Sequence, residues 1–128
     1  MRGMLDRPEQ ELILVVDDAV DARQRLGALL ADRYQVSLVG NDEALQAARA
    51  QPQPDLILLG WQDDYALCRK LCGDPQTRHI PLILVTGRSD VADEQLGFDL
   101  GAADYITKPV SPPIVLARVR AQLQLKAA

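Results

Sequence analysis

No stretch of this sequence stays apolar for the roughly 20 residues that a membrane-spanning helix requires. The opening segment, Met1 to Pro8, holds no apolar core of signal-peptide length. These absences point to a cytoplasmic protein that does not engage a membrane. Positive charge is in deficit: 14 Lys and Arg face 18 Asp and Glu, a formal net charge of -4. Direct binding to nucleic acid takes a basic patch, so that class is disfavoured. Nitrogen and sulfur metal ligands are few. His79 is the one histidine, and Cys68 and Cys72 are the two cysteines. A structural zinc centre takes about four such ligands. The cysteines stand four apart on one face of an expected helix and read as small buried apolar residues. A disulfide is disfavoured in a reducing compartment. No Gly-rich phosphate loop follows the first apolar run; Asp17-Asp18-Ala19 stands there instead. That argues against a nucleotide-cofactor enzyme.

What is present is a regular alternation. With 128 residues, 48% of them hydrophobic and 25% charged, the chain suits one soluble domain with one core. Residues 1–10 are polar and aperiodic and read as a flexible arm; residues 11–126 read as the domain. Five short runs are strand candidates: Leu12 to Val16, Tyr34 to Val39, Leu56 to Leu59, Ile80 to Val85 and Asp104 to Thr107. Continuous apolar runs of this length suit strands buried on both faces of a parallel sheet.

Helical patterns separate the runs. Ala22, Leu26, Leu29 and Leu30 fit one helical face. Asn41 is placed to cap a helix carrying Ala44, Leu45 and Ala48. Asp64 to Cys72 forms a short helix with Leu67, Cys68, Leu71 and Cys72 inward, stopped by Gly73-Asp74-Pro75. Ser89 is placed to cap a helix with Ala92, Leu96 and Leu100 spaced by four, ending at Gly101. Ser111-Pro112 starts the last helix, which carries Ile114, Val115, Val119 and Leu123. Strict alternation predicts an α/β fold with helices on both faces and right-handed crossovers. Five such units suit the flavodoxin-like doubly wound order 2-1-3-4-5. Sites in such sheets form beyond the strand carboxyl ends. Asp17, Asp18, Gly60, Thr86 and Lys108 all fall at or just after those ends.

Over residues 11 to 124 this constellation resembles the receiver domain of two-component response regulators. Its most specific stretch is Gly101-Ala102-Ala103-Asp104-Tyr105-Ile106-Thr107-Lys108-Pro109, together with the separation of Thr86 from Lys108. The resemblance implies roles residue by residue. Asp17 and Asp18 match the carboxylates that hold Mg²⁺. Thr86 matches the hydroxyl that contacts the phosphoryl group. Lys108 matches the lysine of the site, and Tyr105 the switch aromatic. Gly60 stands where the family carries its phospho-acceptor aspartate. The family's chemistry is attack by that carboxylate on a phosphoryl donor, with Mg²⁺ neutralising the oxygens. Two carboxylates, the hydroxyl and the lysine remain here; the nucleophile does not.

The following loop departs as well. Trp61-Gln62-Asp63-Asp64-Tyr65 is several residues shorter than the family's loop and lacks its proline and glycine. The expectation is a degenerate receiver that is not an enzyme, is not phosphorylated at the usual site, and binds Mg²⁺ weakly if at all. Lys108 is expected to pair with Asp17 or Asp18. An alternative is an active phosphorelay receiver using Asp63 or Asp64 as a surrogate acceptor, although Asp64 also suits a helix cap. Asp55 lies at the far end of its strand, more than ~10 Å away at ~3.3 Å per residue. Trp61 either covers the shortened loop or anchors a partner. The expected partner is an output domain or another signalling protein. Ser111 to Arg120 resembles receivers attached to cyclic-di-GMP output domains. Self-association through the fourth helix, fifth strand and fifth helix is a further expectation.

Overall fold

The computed structural model describes residues 10–60, 65–87 and 91–127. Most of the expected arm, the loop residues Trp61, Gln62, Asp63 and Asp64, and the expected cap Ser89 lie outside the described residues.

Five strands form one parallel sheet in the order β2-β1-β3-β4-β5. They are β1 Leu12–Val16, β2 Gln35–Val39, β3 Leu56–Gly60, β4 Leu82–Thr86 and β5 Asp104–Thr107. The helices are α1 Val20–Leu30, α2 Ala44–Arg49 after a 3₁₀ turn at Asn41–Glu43, α3 Ala66–Gly73, α4 Val91–Asp99 and α5 Pro112–Ala127. None of these described helices is long and apolar enough to cross a membrane. The expected fold and strand order are the observed ones.

The sheet explains its own sequence. Alternate residues of each central strand enter opposite layers, as a period of two demands. Leu14, Val16, Ile57, Leu59, Leu82, Leu84 and Tyr105 pack with Ala44 and Ala48 of α2 and Cys68 and Leu71 of α3. Ile13, Val15, Leu56, Leu58, Ile83, Val85 and Ile106 pack with Leu26 and Leu30 of α1 and Val115, Val119 and Leu123 of α5. Because both faces are covered, β1, β3 and β4 read as unbroken apolar runs. Each fully buried Leu, Ile or Val contributes about 1.5–3 kcal/mol before the ordering entropy is subtracted.

Several local expectations shift. β4 begins at Leu82, not Ile80. Pro81 has no N–H to give the ladder, although its carbonyl accepts the Ile57 N–H at 2.9 Å. Asn41 does not cap α2. It opens the 3₁₀ turn, and the Glu43 carboxylate accepts the Gly40 N–H at 2.9 Å. In α4 the residues spaced by four do not form the buried face: Ala92 and Leu96 are exposed and Gly97 is buried. A Cβ on Gly97 would lie 2.7 Å from Leu84 Cδ1, so α4 rests on the sheet at the one position without a side chain. Ile114 also faces outward, leaving Val115, Val119 and Leu123 as the inner stripe of α5.

Helix ends are tied by side chains. Thr77 Oγ1 donates to the Leu71 carbonyl at 2.7 Å, satisfying one of the last acceptors of α3. Asp74 accepts from Arg49 Nε at 2.7 Å and from the Gln76 N–H at 3.2 Å, joining α2 to the turn after α3. Far from the strand carboxyl ends, Asp55 accepts the Leu12 N–H at 2.8 Å and pairs with Lys126 at 3.0 Å. Its work is to tie the start of β3 to the end of α5.

Candidate functional site

The strand carboxyl ends converge because the registers align them. Val16 lies beside Leu59, Gly60 beside Val85, and Thr86 beside Thr107. Asp17 therefore leaves β1 next to the end of β3, and Lys108 leaves β5 next to the end of β4. The Lys108 N–H donates to the Thr86 carbonyl at 2.6 Å, which fixes the start of the β5–α5 connection.

Asp17 is buried at 2% exposure. Its N–H donates to the Val39 carbonyl at 3.1 Å. Its Oδ1 accepts the Ala19 N–H at 2.9 Å, closing the turn into α1. Its Oδ2 faces Lys108 Nζ at 3.6 Å, an ion pair too long for a hydrogen bond. The Lys108 side chain is 38% exposed, so water screens the pair and its contribution is modest. The lysine still supplies the one cation that meets this buried carboxylate among the described ion pairs.

Gly60 is buried directly beneath Asp17. A Cβ built on Gly60 would overlap Asp17 Oδ2 and lie 2.6 Å from Asp17 Cγ. The space an acceptor side chain would enter is therefore filled by the carboxylate of the neighbouring strand end.

Asp18 goes elsewhere. It is exposed, and its Oδ1 accepts the Asn41 N–H at 2.7 Å across the β2–α2 turn. Arg23 donates to the Asp17 carbonyl at 3.2 Å. A Cβ on Gly40 would lie 3.1 Å from Asp18 Oδ1 and 3.4 Å from both Arg23 Nη1 and Glu43 Oε1. Asp18 thus belongs to a surface cluster over Gly40, while Asp17 belongs to the interior.

That division bears on Mg²⁺. A hard divalent cation needs several converging oxygens. Here one carboxylate is committed to an N–H and a lysine, and the other is turned toward Asn41. Among the described residues no group of three or more His, Cys, Asp or Glu could hold a metal ion. The described residues, as arranged, do not fit the ion.

Thr86 is buried at the end of β4 and Tyr105 is buried at 8% exposure on β5. The Tyr105 ring lies 6.5 Å from that of Phe98 on α4, tilted by 43°. Arg118 of α5 pairs with Asp104 at 2.7 Å and donates to the Tyr105 carbonyl at 3.3 Å. The structure thus brings Asp17, Gly60 and Lys108 together, sets Thr86 at the adjoining strand end, and separates Asp18.

Two features escaped the sequence reading. Tyr65 donates its hydroxyl to Asp93 Oδ1 at 3.0 Å, joining the start of α3 to the first turn of α4. Nothing in a lone Tyr and a lone Asp 28 residues apart signals such a contact. The second is an apolar cavity of about 640 Å³ between α1 and the β5–α5 connection, lined by Ala22, Leu26, Leu29, Lys108, Pro109 and Pro112. The proline after Lys108 was the available cue.

The sequence model of the response regulator receiver domain family matches residues 13–120. The chain belongs to that family: it is the receiver domain of a two-component response regulator. The response regulator PleD of Caulobacter vibrioides is 40% identical over 120 residues, covering 89% of this chain and 26% of that protein. A Vibrio cholerae protein named "Probable cyclic di-GMP phosphodiesterase" is 39% identical over 118 residues, covering 89% of this chain and 27% of that one. The chain spans about a quarter of the length of these two relatives. Among solved structures, the signal receiver domain of a histidine kinase from Syntrophus aciditrophicus superposes with a TM-score of 0.78 at 35% identity, covering 89% of this chain and 90% of that one.

Proposed function

We propose that this receiver signals by protein contact and does not accept phosphate at the usual position. One observation carries the reading: the Asp17 carboxylate fills the space above Gly60 and faces Lys108. In a receiver of the usual kind the lysine meets the acceptor on β3. Here a carboxylate from β1 stands in its place, with no group on Gly60 to be phosphorylated. The site then holds one charge arrangement permanently, and the domain is a binding module, not an enzyme. Asp17, Asp18, Thr86 and Lys108 serve as its framework, and Tyr105 stays inward without a phosphorylation-driven switch.

The partner is an output domain or another signalling protein. The likeness to the named Vibrio cholerae protein favours cyclic-di-GMP signalling as the setting. The contact surface is the face formed by α4, β5 and α5, where a second copy is the simplest occupant. Phe98 and Ile114 each expose 45% of their surface there, beside the Asp104–Arg118 pair. Apolar side chains rimmed by charge are what a contact surface offers.

The test is incubation of the chain with acetyl phosphate and Mg²⁺, read by intact mass. No gain of a phosphoryl group is expected. A gain that disappears in Asp63→Ala or Asp64→Ala would replace this reading with that of an active receiver using a surrogate acceptor.

A further inference from the structure

The cavity between α1 and the β5–α5 connection takes no part in the reading given above. Its volume is about 640 Å³, inside the range of about 300–1,000 Å³ that small-molecule sites occupy. The space comes from a shortage of side-chain bulk. Ala22, Arg25, Leu26 and Leu29 share one face of α1, as residues three and four apart do. Ala22 ends at its Cβ and leaves the first turn of that face low. Pro109, Val110 and Pro112 stand on the other side with short side chains. Leu26 and Val85, both buried, line it from the core.

The lining decides what this space accepts. Its side chains are apolar except for two cations, Arg25 and Lys108. Pro109 and Pro112 bring no N–H, and the Lys108 N–H is already given to the Thr86 carbonyl at 2.6 Å. A sugar or a nucleotide would find few partners for its polar groups, and burying them unpaired is costly. A wholly apolar ligand would leave both cations unused. None of the described lining residues is acidic, although the chain carries 18 Asp and Glu. Arg25 forms no ion pair among the described residues. Lys108 Nζ stands 3.6 Å from Asp17 Oδ2, too far for a hydrogen bond, so its N–H donors are still to be given. The charge of the cavity is therefore positive and uncompensated.

We propose that this cavity binds an amphipathic monocarboxylate of the medium-chain fatty acid class. The aliphatic chain lies against the apolar lining and leaves water. The carboxylate takes charge-assisted hydrogen bonds from Arg25 and Lys108. Lys108 both lines the cavity and faces Asp17. Ligand and Asp17 therefore share one cation, and occupancy reaches the strand carboxyl ends through it. The binding is non-covalent and needs no acceptor on β3, so it stands whether or not the chain takes phosphate.

The probe is sodium octanoate, with octanol as its uncharged counterpart, titrated into the whole chain and followed by amide NMR. One octanoate per chain is expected, with a Kd on the order of 0.1–1 mM, as a ligand of that size allows. Shifts should centre on Leu26, Leu29 and Val110 and extend to Asp17. Octanol should bind about tenfold more weakly, for want of the charged hydrogen bonds, and leave Asp17 unmoved. Arg25→Gln and Lys108→Gln should each weaken octanoate by about three- to tenfold and leave octanol unchanged. Ala22→Phe, which fills the cavity, should weaken both probes by about tenfold or more. Circular dichroism checks that the variants are folded. Equal binding of the two probes, full octanoate affinity in folded Ala22→Phe or in both Gln variants, or shifts centred elsewhere would overturn the proposal. So would shifts of the same amides on dilution without ligand, which would assign this face to a second copy.

Discussion

Asp17 stands over Gly60 so closely that a methyl group on Gly60 would overlap its carboxylate. Its Oδ2 lies 3.6 Å from Lys108 Nζ. A carboxylate and a lysine therefore face one another at the heart of the site, with the carboxylate supplied by β1.

A side chain at position 60 must displace Asp17. Gly60→Ala is expected to lower stability by about 1–3 kcal/mol, the usual cost of overpacking a core. Gly60→Asp should cost at least as much, since two carboxylates would share a buried space. Chemical denaturation checks both. Acetyl phosphate labelling of Gly60→Asp should be weak, because the Asp17 carboxylate already occupies the space beside Gly60 and faces Lys108. Moving the carboxylate, Asp17→Gly with Gly60→Asp, should recover stability relative to Gly60→Asp alone. Additive losses in the double variant would contradict the proposed competition for one space.

The two ends of the ion pair are unequal. Lys108→Gln should cost less than about 1 kcal/mol, because the lysine is partly exposed and screened. Asp17→Ala should cost about 1–3 kcal/mol, since it leaves the Ala19 N–H without its acceptor and opens space above Gly60. Raising the salt concentration should shrink the Lys108→Gln difference and leave most of the Asp17→Ala loss in place.

Tyr65 and Asp93 join two segments that flank the site. Tyr65→Phe should remove about 0.5–1.5 kcal/mol. Hydrogen exchange should rise mainly in α4. Unchanged protection there would mean that the contact does not hold the helix.

The proposed contact face makes its own forecast. Phe98→Ser and Ile114→Ser should weaken self-association by about tenfold or more in sedimentation, as truncated anchors of an interface do. Circular dichroism should show both variants folded, although each gives up the buried part of its side chain and Phe98 also its contact with the Tyr105 ring. Sedimentation of the unaltered chain as a monomer at high concentration would remove the second copy as the occupant.

Asp74 gives a pH dependence of known sign. The hydrogen bond from the Arg49 guanidinium, and next the Gln76 N–H, hold its carboxyl below the ordinary range. A depressed folded value stabilises the fold above the unfolded value near ~3.9. That contribution is lost as pH falls through the folded value. Carbon NMR of Asp74 should therefore show a titration below the ordinary carboxylate range, moving upward in Arg49→Gln.

The sequence by itself determined the alternation of five apolar runs with five helical patterns, and through it the parallel sheet and its order. It also set Asp17, Gly60, Thr86 and Lys108 at or just after the strand carboxyl ends. These properties are local: burial on both faces writes a continuous apolar run, and a turn writes its own residues. Tertiary structure alone decided how the acidic pair is divided. Asp17 and Asp18 are adjacent in the chain, yet one faces the end of β3 and the other the turn after β2. The partners that separate them, Gly60 and Asn41, come from other units. The same holds for α4, whose spaced apolar residues promised a buried face. Gly97 set the seating by letting the backbone approach Leu84, and turned Leu96 outward. Close approach depends on what the neighbouring strand presents, and that information exists only once the chain has folded.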